Sequence, residues 1–212
     1  MTIKAVIFDL GGVVLDSPLD ALARYEARQG LPHNFLNRLI VEKGREGSWS
    51  KLERGKLGLE EFFNAFDSEA AQKGARISSV ELMLEIAKTA QVRPVMLEAI
   101  QRLRARGLKV AALTNNWLSE GPYAERMDAL REQFDVFIES SSVGLQKPDP
   151  RIYELTCQEL GIRPEEAVFL DDIGRNLKPA REMGMATVRV SDPDAALAEL
   201  EALLGIDLRG VG

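Results

Sequence analysis

A chain of 212 residues with a formal net charge of −6, 45% apolar and 28% charged, has room for one domain or for one domain carrying an insertion. That balance is ordinary for a soluble globular protein, and its acidity argues against a nucleic-acid surface while leaving room for a local basic pocket that holds a phosphate. The one cysteine, Cys157, excludes an internal disulfide and suits a reducing compartment. It falls within a helical pattern and is expected to pack rather than react. No apolar run approaches the roughly 18 residues a membrane span needs, and Asp9 interrupts the first apolar run too early for a signal peptide. The expectation is a cytoplasmic protein with no membrane and no nucleic-acid partner. Its oligomeric state leaves no trace in the sequence.

The first element is Ala5-Val-Ile-Phe8, a short run apolar at every position. Such a run predicts a strand buried on both faces of a parallel sheet. Asp9 follows at its C-terminal end, ahead of Gly11 and Gly12. Ser17 and Pro18 then read as an N-cap and a first helical residue. From there to about Gln91 the apolar residues recur only at helical spacing, in four stripes that include Leu22 and Tyr25, Leu36 and Leu39, Phe62 and Phe66, and Met83 and Ile86. This predicts two antiparallel helix pairs joined by a loop at Gly44–Trp49, inserted after the first strand. The expected division is a core of residues 1–16 and 93–212 and a helical cap of residues 17–92.

After Arg93 helix and strand alternate. Pro94 opens a helix closed by Gly107, and strands are predicted at Leu108–Leu113, Val136–Ile138, Ala167–Leu170 and Ala186–Val190. Between them lie helices near Tyr123–Leu130, from Pro150 to Gly161, at Asn176–Met183 and from Pro193 to Gly205. Alternation of this kind specifies an α/β fold, a Rossmann-like parallel sheet with helices on both faces. Residues 209–212 read as a frayed tail.

Four strand or loop ends carry the polar residues with chemistry to offer, and in an open α/β sheet they converge on one edge. Asp9 supplies a carboxylate that can attack phosphorus or carbon and be regenerated by water. Asp171 and Asp172 add two more carboxylates. Three such groups repel one another unless a hard cation such as Mg²⁺ lies between them, a role the Gly11 backbone carbonyl can support. Thr114 and the amides after it are neutral donors to phosphate oxygens. Lys147 offsets the charge of nucleophile and substrate, and Asn176 can orient Lys147 or hold a phosphate network. Asp16 is a spare carboxylate at the start of the insertion, read as a helix-start or hinge residue with a lesser claim as an acid. Arg45, Trp49 and Trp117 are candidates for contact with the substrate, and Trp49 is equally a candidate for the core of the insertion.

The motifs Phe8-Asp9-Leu-Gly-Gly-Val, Leu113-Thr114-Asn115-Asn, Lys147-Pro-Asp-Pro and Phe169-Leu-Asp171-Asp172-Ile-Gly-Arg-Asn176 resemble those of the haloacid dehalogenase superfamily of aspartate-nucleophile hydrolases. The segments from Phe134 to Tyr153 and from Phe169 to Gly184 look most like the N-terminal phosphatase domain of soluble epoxide hydrolase. The related N-terminal domain of acyl-CoA dehydrogenase fusions looks similar. The resemblance implies a Mg²⁺-dependent phosphatase for small phosphorylated molecules, with a phosphoaspartate on Asp9. It implies that Thr114 and Asn115 bind phosphate, that Lys147 balances charge, and that Asp9, Gly11, Asp171 and Asp172 hold the metal. Gly11 departs from the family pattern, which places an aspartate there as general acid and base. Two alternatives stand beside the phosphatase: a catalytically weak phosphate-binding domain, and a 2-haloacid dehalogenase, for which two late aspartates are superfluous.

Overall fold

The computed structural model describes residues 2–118 and 121–208; the tail at 209–212 lies outside the described residues. Five parallel strands form one sheet: β1 (Ala5–Phe8), β2 (Lys109–Thr114), β3 (Val136–Glu139), β4 (Ala167–Asp171) and β5 (Ala186–Arg189). Their spatial order is β3-β2-β1-β4-β5. The chain therefore builds outward on one side of β1 and then returns to build on the other. The point of return, beside β1, is where open sheets of this kind leave a crevice at their carboxyl edge. Ala5 pairs with Lys109 on one side and with Ala167 on the other, so β1 is central, and all four of its residues are fully buried.

Alternation along β1 divides the core into two layers. Val6 and Phe8 pack with α6 (Pro94–Ala105) and α11 (Pro193–Leu204) on one face. Ala5 and Ile7 pack with α9 (Pro150–Leu160) and α10 (Gly174–Glu182) on the other. A period of two is what a pleated strand imposes. Cys157 lies in the second layer, and burial pushes its thiol up to about 11. It packs, as its helical surroundings suggest.

Residues between β1 and β2 form α1 (Pro18–Gln29), α2 (Phe35–Lys43), α3 (Ser48–Glu53), α4 (Leu59–Ala71) and α5 (Ser79–Thr89), followed by α6. The first five enclose a separate apolar cluster around Tyr25, Leu36, Phe62, Phe66 and Leu82. Here the pattern of two helix pairs needs correction. The stretch read as a loop at Gly44–Trp49 is a single 3₁₀ turn over Gly44–Glu46 that runs into α3 at Ser48. The cause is a long-range cap. The Glu69 carboxylate of α4 accepts from the Ser48 backbone N–H and from its hydroxyl, both at 3.0 Å, supplying the acceptor that Gly47 lacks at the helix start. Trp49 is thereby carried into the cluster, its ring 5.7 Å from Phe62 and 5.5 Å from Phe66.

Two chain segments join this helical unit to the sheet. Leu15 and Val92 form an antiparallel bridge, with Asp16 N–H donating to Gln91 O at 3.0 Å and Arg93 N–H to Val14 O at 2.9 Å. Beyond β2 the chain adds α7 (Pro122–Arg131) and, after β3, the short α8 (Ser140–Val143).

Candidate active site

Asp9 stands one residue beyond the end of β1, and its position is fixed by its own neighbourhood. Its Oδ1 accepts from the Leu10 backbone N–H at 2.7 Å and lies 2.8 Å from Lys147 Nζ. Lys147 is almost completely buried and reaches Asp171 Oδ2 at 2.7 Å as well. A buried ammonium is tolerated only when paired, and this one has two carboxylates. Burial works against the Lys147 charge, but Asp171 and Asp9 outweigh it, so the lysine stays firmly protonated. Burial has the opposite consequence for Asp9. Desolvation raises its carboxyl well above the usual range, opposed by Lys147 and reinforced by Asp171.

Asp171, at the tip of β4, is fully buried, and both its oxygens accept hydrogen bonds. Oδ1 takes the Ile173 backbone N–H at 2.8 Å, and the Asn176 amide donates to both oxygens at 3.1 Å. Asn176 therefore orients Asp171 rather than Lys147. The alternative role, holding Lys147, falls to Asn115. Its amide donates to Lys147 O at 3.0 Å while its Oδ1 accepts from Lys147 N–H at 2.8 Å. This reciprocal pair fixes the Asn115 side chain against the lysine loop with one of its two amide hydrogens, and Asn115 lines the same cavity as Lys147. Thr114, buried at the tip of β2, lines the same cavity as Asp9 and Lys147.

Asp172 completes the acidic group. One oxygen from each of Asp9, Asp171 and Asp172 lies within 4.8 Å of the others, and Asp172 Oδ1 is buried with no hydrogen-bond partner. Burial and the neighbouring Asp171 charge push the Asp172 carboxyl up to about 6. An orphaned oxygen beside two more carboxylates is the donor set a hard divalent cation requires.

Three contributors were assigned no role from the sequence. Gly12 has φ +77°, and a Cβ there would sit 2.2 Å from Asp172 Oδ2, so only glycine lets Asp172 approach this turn. Arg93 donates to Gly12 O at 2.8 Å and approaches Asp16 at 3.5 Å, which places Asp16 at the junction with the helical unit. The third is Glu53, at the end of α3. Of these, only the second glycine of the Gly-Gly pair could have been suspected from the sequence.

Above these groups lies a cavity of about 590 Å³. Its floor carries Asp9, Lys147 and Asp172, and α1, α2, α3 and α5 contribute apolar wall residues such as Leu22, Ile40, Trp49 and Ile86. Trp117 enters from the end of β2, stacked on Tyr123 at 6.1 Å and edge-on to Trp49 at 6.1 Å. Arg45 lines the cavity too, paired with Asp149 at 3.4 Å.

Comparison with known proteins bears on the family and the fold. The model of the haloacid dehalogenase-like hydrolases matches residues 3–184. Mouse acyl-CoA dehydrogenase family member 10 is 41% identical over 97% of this chain, and pig bifunctional epoxide hydrolase 2 is 38% identical over 98% of it. The chain spans 19% and 40% of those two proteins. Phosphatase MT3486 of Mycobacterium tuberculosis is 30% identical over the whole of both chains. Among solved structures, a predicted HAD-like hydrolase of Porphyromonas gingivalis superposes with TM-score 0.72 at 21% identity, covering 98% of this chain and 100% of that one. A Bacteroides thetaiotaomicron HAD enzyme in complex with magnesium and inorganic phosphate gives 0.62 at 22% identity, over 88% and 93%. The chain belongs to the haloacid dehalogenase-like hydrolases.

Proposed function

We propose that this hydrolase is a Mg²⁺-dependent phosphatase of small phosphomonoesters, with Asp9 as nucleophile. The observation that carries the reading is the buried Asp9–Lys147–Asp171 array beside the orphaned Asp172 oxygen. Asp9, Asp171, Asp172 and the Gly11 carbonyl would hold the ion, which when bound neutralises charge on the transferring phosphoryl group. Lys147 opposes the protonation of Asp9 that burial favours and holds it in place, Thr114 donates to phosphate oxygens, and Asp9 as the carboxylate attacks phosphorus in line. Residues 17–92 act as a cap that excludes bulk water from the cavity. The walls are apolar where α1 and α5 supply them, which suits an organic group of low charge. Phosphatase relatives and a neighbour holding magnesium and phosphate support the reading. Attack on the carbon of a haloacid would leave Asp172 and its unpartnered oxygen without a task.

Release of phosphate from p-nitrophenyl phosphate, with Mg²⁺ and with EDTA, tests the proposal. Turnover that is indifferent to EDTA would sink it. A second expectation needs no substrate. Mg²⁺ at a hundred times its dissociation constant should stabilise the fold by about 2.7 kcal/mol, or about 5–10 °C in Tm for a domain of this size. Asp172→Asn should abolish most of that shift. Gly12→Ala should reproduce much of the loss, because the new methyl displaces the Asp172 carboxylate. A full Mg²⁺ shift in both variants would remove Asp172 from the ion's ligands.

A further inference from the structure

Position 11 carries no carboxylate, and the structure shows what crowds it. A Cβ on Gly11 would lie 3.1 Å from the Pro18 side chain, the first residue of α1. The leaving oxygen of a phosphate ester still needs a proton, and the cavity offers few sources beyond Asp9 and Asp172. Three further carboxyl groups line it: Asp16, Glu53 and Asp149. Asp149 is held by Arg151 at 2.6 Å, which with its hydrogen bonds keeps its pKa down to about 2. It is ionised at any working pH and has no proton to give. Asp16 faces Arg93 at 3.5 Å with about half its side chain exposed. Glu53 differs from both. No cation lies within salt-bridge distance of it among the described residues, and its oxygens meet only neutral donors, Trp49 Nε1 at 2.9 Å and Gln146 Nε2 at 3.1 Å.

Resting on the phosphatase reading above, we infer that Glu53, carried into the cavity by α3 of the helical unit, is the general acid that protonates the leaving oxygen and then the base that activates water. In the first step Asp9 Oδ forms a bond to phosphorus as the P–O bond to the leaving group breaks. The electron pair passes to that oxygen, which takes the Glu53 proton and departs as the alcohol. In the second step the Glu53 carboxylate accepts a proton from water as the water oxygen attacks phosphorus. The bond to Asp9 breaks, and both carboxyl groups return to their starting states.

Electrostatics suit the role. Desolvation raises Glu53 to about 7, opposed by the Trp49 hydrogen bond and by the charges of Arg175 on α10, Lys147 and Arg54, the residue that follows it. An acid poised near the working pH is the efficient choice for proton transfer. Position also couples chemistry to closure. Gln146, which donates to Glu53, accepts from the Ser50 hydroxyl and precedes Lys147 in the chain, and Ser140 of α8 donates to the Glu53 backbone carbonyl at 2.5 Å. The acid is therefore in place only when α3 is docked on the core.

The test compares an alkyl and an aryl phosphate, since an aryl oxide leaves tolerably as an anion. Wild-type protein with Mg²⁺ should hydrolyse both. In Glu53→Gln, kcat/KM for the alkyl ester should fall about 10²–10⁴-fold, with less than about a tenfold loss for the aryl ester on the same principle. Glu53→Asp, which keeps an acid one methylene shorter, should recover part of the alkyl rate. The wild-type alkyl kcat/KM should decline as pH rises through about 7, where Glu53 loses its proton. That limb should be missing for the aryl ester and for Glu53→Gln. An equal loss for both esters, or an unchanged pH limb in Glu53→Gln, would overturn the assignment and leave Glu53 a support for Gln146. Unchanged alkyl turnover in Glu53→Gln would overturn it outright. Failure of wild-type protein to hydrolyse the aryl ester is a separate result, since it removes the phosphatase reading itself.

Discussion

Asp9→Asn should lower phosphate release by at least about 10⁴-fold, the scale on which loss of a covalent nucleophile is felt. It should also abolish any acid-stable phosphate trapped on the protein during turnover. The fold should survive the change. Asn keeps the oxygen that accepts from Leu10 N–H, and Lys147 retains its 2.7 Å partner in Asp171. A normal melting temperature beside a missing phosphoenzyme is thus the expected pair of results. Turnover within tenfold of wild type would move the nucleophile elsewhere.

Lys147→Met should damage both activity and the fold, and the two can be separated by the metal. Breaking a buried ion pair by removing one partner costs about 3–5 kcal/mol, because the other charge stays buried without compensation. Here two carboxylates, Asp9 and Asp171, lose their shared cation. At roughly 2–4 °C per kcal/mol for a domain of this size, Tm in EDTA should drop by about 10 °C. A carboxyl whose folded pKa is raised, as that of Asp9 is, costs stability once pH exceeds its unfolded value and costs nothing below it. The deficit of the variant should therefore shrink as pH is lowered toward about 4. Added Mg²⁺ should recover part of it at neutral pH, since a divalent ion can stand between the same carboxylates. An equal deficit at every pH would mean that packing of the lysine stem, not its charge, holds this part of the core.

The sheet and its edge were legible for a simple reason. Strands buried on both faces are apolar, so Ala5–Phe8 and Ala167–Leu170 stand out as short unbroken runs, and a carboxylate directly after each run is conspicuous. The five-strand parallel architecture followed from that alternation. What escaped the sequence depends on distances between segments far apart in the chain. The helix start at Ser48 is set by Glu69, 21 residues away, and no local pattern announces it. The pairing of Asn115 with the Lys147 backbone spans 32 residues; only the structure shows that its side chain braces the lysine loop. Glu53 lies in Lys51-Leu-Glu-Arg54, where a charged residue reads as an ordinary solvated face. Gly11 shows the limit in another form. The missing side chain is visible in the sequence, but Pro18 crowding that position is not.

The bridge between Leu15 and Val92 bears on how the chain reaches this state. β1 cannot pair with β2 until residue 5 meets residue 109, a closure spanning about a hundred residues whose entropic cost grows with the logarithm of the span. The intervening helices have an apolar cluster of their own, and α1 packs on α5 next to the junction, so they can assemble before the strands pair. Once Leu15 and Val92 are joined, the segment left to close is about a quarter as long, and the search for β1–β2 pairing becomes cheaper by about 1 kcal/mol. Destabilising the helical unit, for instance with Phe66→Ala, should for that reason slow refolding of the sheet although Phe66 touches no strand. Slower refolding in that variant would make the inserted segment a folding scaffold for the strands on either side of it.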